Sequence, residues 1–252
     1  ALGEGLSNAN RQYVANLDAQ VIVFLEKSDY LINASRLETN TVKSIRRVEG
    51  VADAGPIYIS NSEIVSLPEP LKISMLGVEA ERPGMPTVLD GRYFRGGSAR
   101  EAVMDIGVVQ RTDLKIGDEI EIRSTQGTED EFYTLKIVGL VDKQAYSFQP
   151  TIFVPASTWE LARPQPESDL NDDTPYPNVV AVKLENPSQL EEMKLRLVNQ
   201  VSNIEVSDIP TTIENIPGYT AQQGTVQTQG VFTLLIGILV IGGFFQIQIL
   251  QK

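Results

Sequence analysis

Residues 230–245 read GVFTLLIGILVIGGFF, and no charged residue lies between Glu214 and Lys252. The apolar character resumes after Gln246 and Gln248 with Ile247, Ile249 and Leu250. A helix needs about 20 mostly apolar residues to cross a hydrocarbon core of roughly 30 Å, and residues 230–250 meet that length. Glycine within the run suits a membrane helix better than a soluble one. A buried core helix is the other reading, but a helix of that kind normally shows a polar face. The pattern therefore predicts a transmembrane helix, truncated, over 230–252.

The rest of the 252-residue chain is long enough for one large domain or two small ones. Lys and Arg total 21 against 33 Asp and Glu, a net charge of −12. That balance excludes nucleic acid as a partner, because phosphate binding needs a basic surface. The chain has no cysteine and no histidine. Thiol nucleophiles, disulfides, Cys/His zinc sites and Ser-His-Asp triads are thereby excluded within it. It begins with Ala1, and ALGEGLSNAN lacks the basic start and apolar centre of a signal peptide. The sequence reads as an excerpt of a longer one.

Leu2, Leu6, Tyr13, Val14 and Leu17 fall at roughly helical spacing, so residues 1–18 read as a helix continuing from an upstream segment. AQVIVFLE (19–26) is β-branched and aromatic and predicts a buried strand. Ser35 and Glu38 form an S-x-x-E capping box ahead of Leu37, Thr41, Ile45 and Val48, with Gly50 ending the helix. VADAGPIYIS then returns as a strand. The same pattern recurs far downstream. NVVAVKLE (178–185) is a strand, Asn186 an N-cap, Pro187 a first helical residue and Gln189 the far side of an N-x-x-Q box. Leu190, Met193, Leu197 and Val201 share one face, and NIEVSDIP closes the unit. Two such units can pair into a four-stranded split βαβ sheet with two helices on one face.

Between them lies a β-rich stretch. LKISMLGVE (71–79), KIGDEIEIRS and EFYTLKIVGLVD read as strands, the last two joined as a hairpin through TQGTED. RPGMPTVLDGRYF is turn-rich, EAVMDIGVVQRTDL turns helical from about Asp105, and QPTIFVPASTWELA is a strand followed by a helix with Pro155 near its start. RPQPESDLNDDTPYP (163–177) reads as an exposed loop, and residues 211–229 as a polar stalk. The fold class expected is α+β: a split βαβ part (19–70 and 176–210) interrupted by a β-rich part (71–165).

GRYFRGGSAREAVMDIGVVQRTDLKIGDEIEIRS, then LKIVGLVD, then QPTIFVPASTWE, resembles the extracytoplasmic core domain of MacB/FtsX-type ABC transporter permeases. Gly91, Arg92 and Phe94 match a G-R-x-F element. Ile116, Gly117, Asp118, Ile120 and Ile122 match a hydrophobic-G-D-x-I-x-I strand. Ile137, Val138 and Gly139 match a V-V-G element, and Phe153, Val154 and Pro155 a strand running into a Pro-led helix. The resemblance extends in order from about residue 16 to the C-terminus, and VEGVADAGPIY resembles the family segment after the first helix. NLDAQVIVF is somewhat similar to the DevC-type branch.

The resemblance implies a Porter-like split βαβ part, a Sabre-like β-rich part, and a place between transmembrane helices 1 and 2 of a cell-membrane permease. It implies a non-catalytic, mechanotransmitting subunit for export or extraction of substrate. Its partners would be a separate ABC ATPase subunit, a second permease copy, a membrane-fusion or other extracytoplasmic protein, and membrane lipid. No G-x-x-x-x-G-K-[ST] occurs in the sequence, as such a subunit requires. Neither a cofactor nor a catalytic or metal-ligating residue is assigned. Two rival classes remain: a membrane-anchored binding module using Trp159 and Phe153, and a hydrolase using paired carboxylates among Asp105, Asp113, Asp118 and Glu121. TEDE and SDLNDD read as solvated loops, because the EF-hand calcium spacing is not met.

Overall fold

The computed structural model describes residues 11–96, 99–147, 149–165 and 175–216. Ten strands form one mixed sheet in the order β10-β1-β9-β2-β3-β8-β5-β7-β4, with β6 paired to both β2 and β7. The strands are β1 Val21–Leu25, β2 Val51–Ile64, β3 Leu71–Val78, β4 Val88–Gly91 and β5 Glu101–Asp105. They continue with β6 Glu119–Gln126, β7 Glu129–Val141, β8 Thr151–Pro155, β9 Val179–Leu184 and β10 Ile204–Asp208. The strands are accompanied by α1 Thr39–Ile45, α2 Ile106–Val109, α3 Ala156–Ala162, α4 Leu190–Gln200 and α5 Ile209–Glu214, and residues 11–15 are also helical.

At one end, β10, β1, β9 and β2 pair antiparallel throughout. Side chains alternate across a strand, so β1 sends Val21 and Val23 to one face and Ile22 and Phe24 to the other. The first face is covered by α1 and α4, whose Val42, Ile45, Met193 and Leu197 pack with Val180 and Val182 of β9. The second face is covered by Tyr13 and Val14 from the start of the described chain and by Ile213 and Ile216 from its end. Burial on both faces explains why β1 and β9 read as unbroken apolar runs rather than as alternating ones.

The inserted strands do not start a new sheet. They continue this one and then curl back. β2 pairs β3, β3 pairs β8, β8 pairs β5, β5 pairs β7, β7 pairs β6, and β6 returns to β2 through Glu63–Arg123 and Ile64–Ile122. The closed circuit is a six-stranded ring. Its interior holds Ile64, Ile73, Met75, Met104, Ile120, Ile122, Leu135 and Ile152. β2 serves both halves: residues up to Ile57 pair with β9, and those from Ile57 onward pair with β3.

Several local expectations are corrected. The Ser35/Glu38 box does not cap α1. Ser35 is fully buried, and its hydroxyl accepts the Leu25 N–H at 2.8 Å instead. Glu38 is the N-cap residue and makes no side-chain cap bond. Helix α1 ends at Ile45, and a run of turns rather than helix leads to Gly50. Asn186 does cap, accepting the Ser188 N–H at 3.1 Å, but Gln189 makes no side-chain cap bond. The turn-rich stretch contains β4, EAVMD forms β5, and IPTTIE forms α5 with Asp208 as its cap. Gln165, expected in an exposed loop, exchanges backbone bonds with the β6–β7 turn: its N–H donates to Thr125 and its carbonyl accepts from Gly127.

Asn178 stitches the return of the chain after the insertion. Its amide oxygen accepts the Ile59 N–H at 2.7 Å, and its amide nitrogen donates to the carbonyls of Ile32 and Ser35. The expected transmembrane helix, SDLNDD, and most of the stalk lie outside the described residues. Among the described residues no helix is long and apolar enough to cross a membrane.

Candidate functional site

Three of the four motif elements meet along β7. Gly91 of β4 lies opposite Gly139 of β7, and the Arg92 N–H donates to the Val138 carbonyl at 2.9 Å. On the same edge of β7, opposite β5, the Gly117 N–H donates to the Ile137 carbonyl at 2.8 Å, and the Ile137 N–H donates to the Asp118 carbonyl at 2.9 Å. Two fragments, 91–92 and 117–118, thus hold residues 137–139. A Cβ on Gly139 would lie 2.4 Å from the Arg92 carbonyl oxygen, and one on Gly91 2.4 Å from that of Val138. These glycines exist for close backbone approach.

The side chain of Arg92 forks onto Glu101 of β5, at 2.9 Å from Nη1 to Oε2 and 2.5 Å from Nη2 to Oε1. Arg92 Nη1 also donates to the Tyr93 carbonyl, and the Arg95 N–H donates to Glu101. The Arg92 hydrogen bond leads in holding the Glu101 carboxyl down to about 2. Phe94 is buried in the core. The G-R-x-F element therefore supplies an approach point, a fork and a core anchor, all structural.

Of the four carboxylates that a hydrolase would use, Asp105 and Asp118 are engaged with backbone. Asp105 is 1 % exposed and caps α2. Its Oδ1 accepts the Gly107 N–H, and its Oδ2 accepts those of Gln144 at 3.1 Å and Thr151 at 3.4 Å. Burial raises its pKa against the pull of those donors. Its oxygens are engaged in holding backbone. Asp118 accepts the Lys115 N–H at 2.8 Å, which makes it the turn residue before β6. Asp113 sits in the loop after α2, and Glu121 lies within β6 with its N–H bound to the Ser66 hydroxyl. Among the described residues no group of three or more acidic side chains is placed to hold a metal ion.

Trp159 and Phe153 are core residues, so they are not available to the surface of the rival binding module. Phe153 is fully buried and packs on Tyr13 with ring centroids 5.6 Å apart. Trp159 packs on Tyr58 at 5.1 Å and over Gly77, and the Arg163 guanidinium lies 5.4 Å from its ring centroid. Pro155 ends β8 and is the N-cap of α3, in line with its expected place near the helix start.

A cleft of ≈ 410 Å³ opens beside the four-stranded end. Its walls come from residues 13–18, Asp53 of β2, the 81–87 loop with Leu89 and Tyr93, Asp142 and Gln144, and Lys183 of β9. The Tyr13 hydroxyl donates to the Gly84 carbonyl at 2.7 Å, and the Tyr13 N–H donates to the Ala145 carbonyl at 3.2 Å. Three walls are thus bonded to one another. Across the rim Arg82 pairs with Asp53 at 2.5 Å and Lys183 with Asp18 at 2.6 Å. Glu79 receives both Arg82, at 3.1 Å, and Arg46, at 2.6 Å. Sequence reading missed this cleft, because its members come from five segments and no one motif gathers them.

No protein-family model matches the chain, and no curated protein matches it significantly. Solved structures do. The chain is similar to the periplasmic region of MacB from Actinobacillus actinomycetemcomitans, with a TM-score of 0.54 and 13% identity, covering 81% of this chain and 97% of that one. It is also similar to the extracellular domain of the noncanonic ABC-type transporter YknZ from Gram-positive bacteria, with a TM-score of 0.52 and 15% identity, covering 75% of this chain and 99% of that one. The fold of this chain is the fold of those extracytoplasmic domains.

Proposed function

We propose that this chain is the extracytoplasmic domain of an ABC transporter permease subunit. It couples ATP hydrolysis by a separate nucleotide-binding subunit to movement outside the membrane and to export or extraction of substrate. On this reading the split βαβ part is Porter-like, the six-stranded ring is Sabre-like, and residues 230–252 return the chain to the cell membrane.

The observation that carries the reading is the convergence of both ends of the described chain on one core. Tyr13 and Val14 before β1, and Ile213 and Ile216 after β10, belong to one cluster with Ile22 and Phe24 on one face of the sheet. Segments entering and leaving on one face act on the sheet together. The sheet is close-packed on both faces there, so displacement of its ends carries the packed elements as a unit. The likeness to extracytoplasmic transporter domains across nearly their whole length supports the same reading. The domain then needs no catalytic residue of its own, and its partners are the ATPase, a second permease copy, lipid and an outer protein.

Purification of the full-length protein from its native membrane, followed by mass spectrometry of what comes with it, tests this. The reading requires a stoichiometric P-loop ATPase, in trans or fused in the same frame. Repeated absence of any ATPase would leave the anchored binding module in its place.

A further inference from the structure

The cleft beside Tyr13 has features that transmission of movement does not use. Gln144 lies against it and is 5 % exposed. The Gln144 N–H is bound to Asp105, and its carbonyl accepts the Thr151 hydroxyl at 2.6 Å, so the backbone from which the side chain springs is fixed on both sides. The carboxamide oxygen has no hydrogen-bond partner among the described residues. Buried polar atoms are nearly always bonded. An orphan acceptor beside a preformed cleft points to a donor that the folded chain does not supply.

The charge of the cleft narrows the donor. Among the described lining residues Asp18, Asp53, Glu81 and Asp142 stand against Arg82 and Lys183, so four negative and two positive charges leave a net −2. Both cations are already engaged, with Asp53 and Asp18. Glu81 and Asp142 have no ion-pair partner among the described residues. An anion is repelled here. A bare metal ion lacks a ligand cluster among the described residues. Leu17, Met85, Leu89 and Tyr93 provide apolar wall between the charges.

We propose that this cleft binds an organic cation with N–H donors: an ammonium or guanidinium group on an apolar stem. The donors meet the Gln144 oxygen after a small side-chain adjustment, Glu81 and Asp142 offset the charge, and the stem lies on Met85, Leu89 and Tyr93. The same chemistry arrives as a free amine or as a lysine or arginine side chain presented by another protein. The proposal does not depend on the permease reading.

Methyl-labelled methionine NMR of the full chain tests it, because only one of the four methionines, Met85, lines the cleft. The probes are 1,5-diaminopentane, n-butylguanidine, and a blocked Gly-Lys-Gly peptide. The expected result is a saturable shift of the Met85 signal alone. Affinity falls about tenfold in the E81Q/D142N double variant, in line with the loss of charge-assisted contacts. Both substituted side chains are exposed, so the fold survives. Gln144→Leu weakens binding as well, with the other three methionine signals in place. Tighter binding of the peptide indicates a protein partner, and tighter binding of the diamine a small amine. A shift that does not saturate, shifts of equal size at all four methionines, or unchanged affinity in E81Q/D142N would overturn the proposal.

Discussion

Gly91 and Gly139 face each other across β4 and β7, and each leaves no room for a Cβ beside the backbone of the other strand. Gly91 also sits at a φ of +78°, where a side chain is strained. Two short motifs some 48 positions apart are thus one contact. Gly139→Ala is expected to destabilise the domain by about 2–3 kcal/mol, because the neighbouring atom is backbone and not a flexible side-chain end. Urea unfolding read by tryptophan fluorescence at Trp159 measures it. A change under about 0.5 kcal/mol would mean that β4 moves aside freely.

The Arg92–Glu101 fork predicts a pH dependence. The folded Glu101 carboxyl is depressed from 4.5 to about 2, chiefly by the Arg92 hydrogen bond. A depressed carboxyl contributes stability that is present above its unfolded pKa and lost as pH falls through the folded one. Wild-type protein is therefore expected to be more stable than Glu101→Gln at pH 6, with the difference shrinking between about pH 5 and pH 2. Thermal melts of both proteins across that window decide it, and a pH-independent difference would contradict the ionic account.

Asp105 holds three backbone N–H groups from three segments. Asp105→Ala removes a helix cap and leaves buried donors without partners, so a loss of about 3 kcal/mol is expected. If the residue served hydrolysis instead, the variant would keep its melting temperature.

Two residues on α3 separate core from surface. Trp159 is buried on Tyr58, and Leu161 is 61% exposed. Trp159→Ala is expected to cost about 4 kcal/mol, and Leu161→Ser to fall within about 0.5 kcal/mol of wild type. Comparable effects of the two would place Trp159 on a surface after all.

Most strands were legible in the sequence: β1, β2, β3, β6, β7, β8, β9 and β10 lie where their residues predicted. The hairpin of β6 and β7 was legible from Gly127, and the start of the 187–200 helical segment from Asn186 and Pro187. Strand β4 was not, because VLDG is short and mostly exposed and is held by its partner rather than by propensity. Closure of the ring was not, because it rests on two residue pairs between β2 and β6. The Ser35 signature misled because its hydroxyl serves the Leu25 N–H, a contact between a strand end and a loop that no local pattern records. The cleft was invisible for a related reason. Tyr13, Gly84, Gln144 and Lys183 mean nothing to one another until the sheet brings them together.

The coupling of this domain to ATP hydrolysis is the central claim, and these 252 residues contain no cysteine, so one label can be placed on the domain once any cysteines elsewhere in the permease and its ATPase are replaced. Asn199 is exposed on α4 and accepts a spin label after Asn199→Cys. The measurement is the distance distribution between the two labelled copies in the full permease with its ATPase, by pulsed electron resonance, with ATP and magnesium, with a trapped transition state, and without nucleotide. The account predicts a distribution that shifts between the trapped and nucleotide-free states. Identical distributions in all three, with hydrolysis intact, would contradict it.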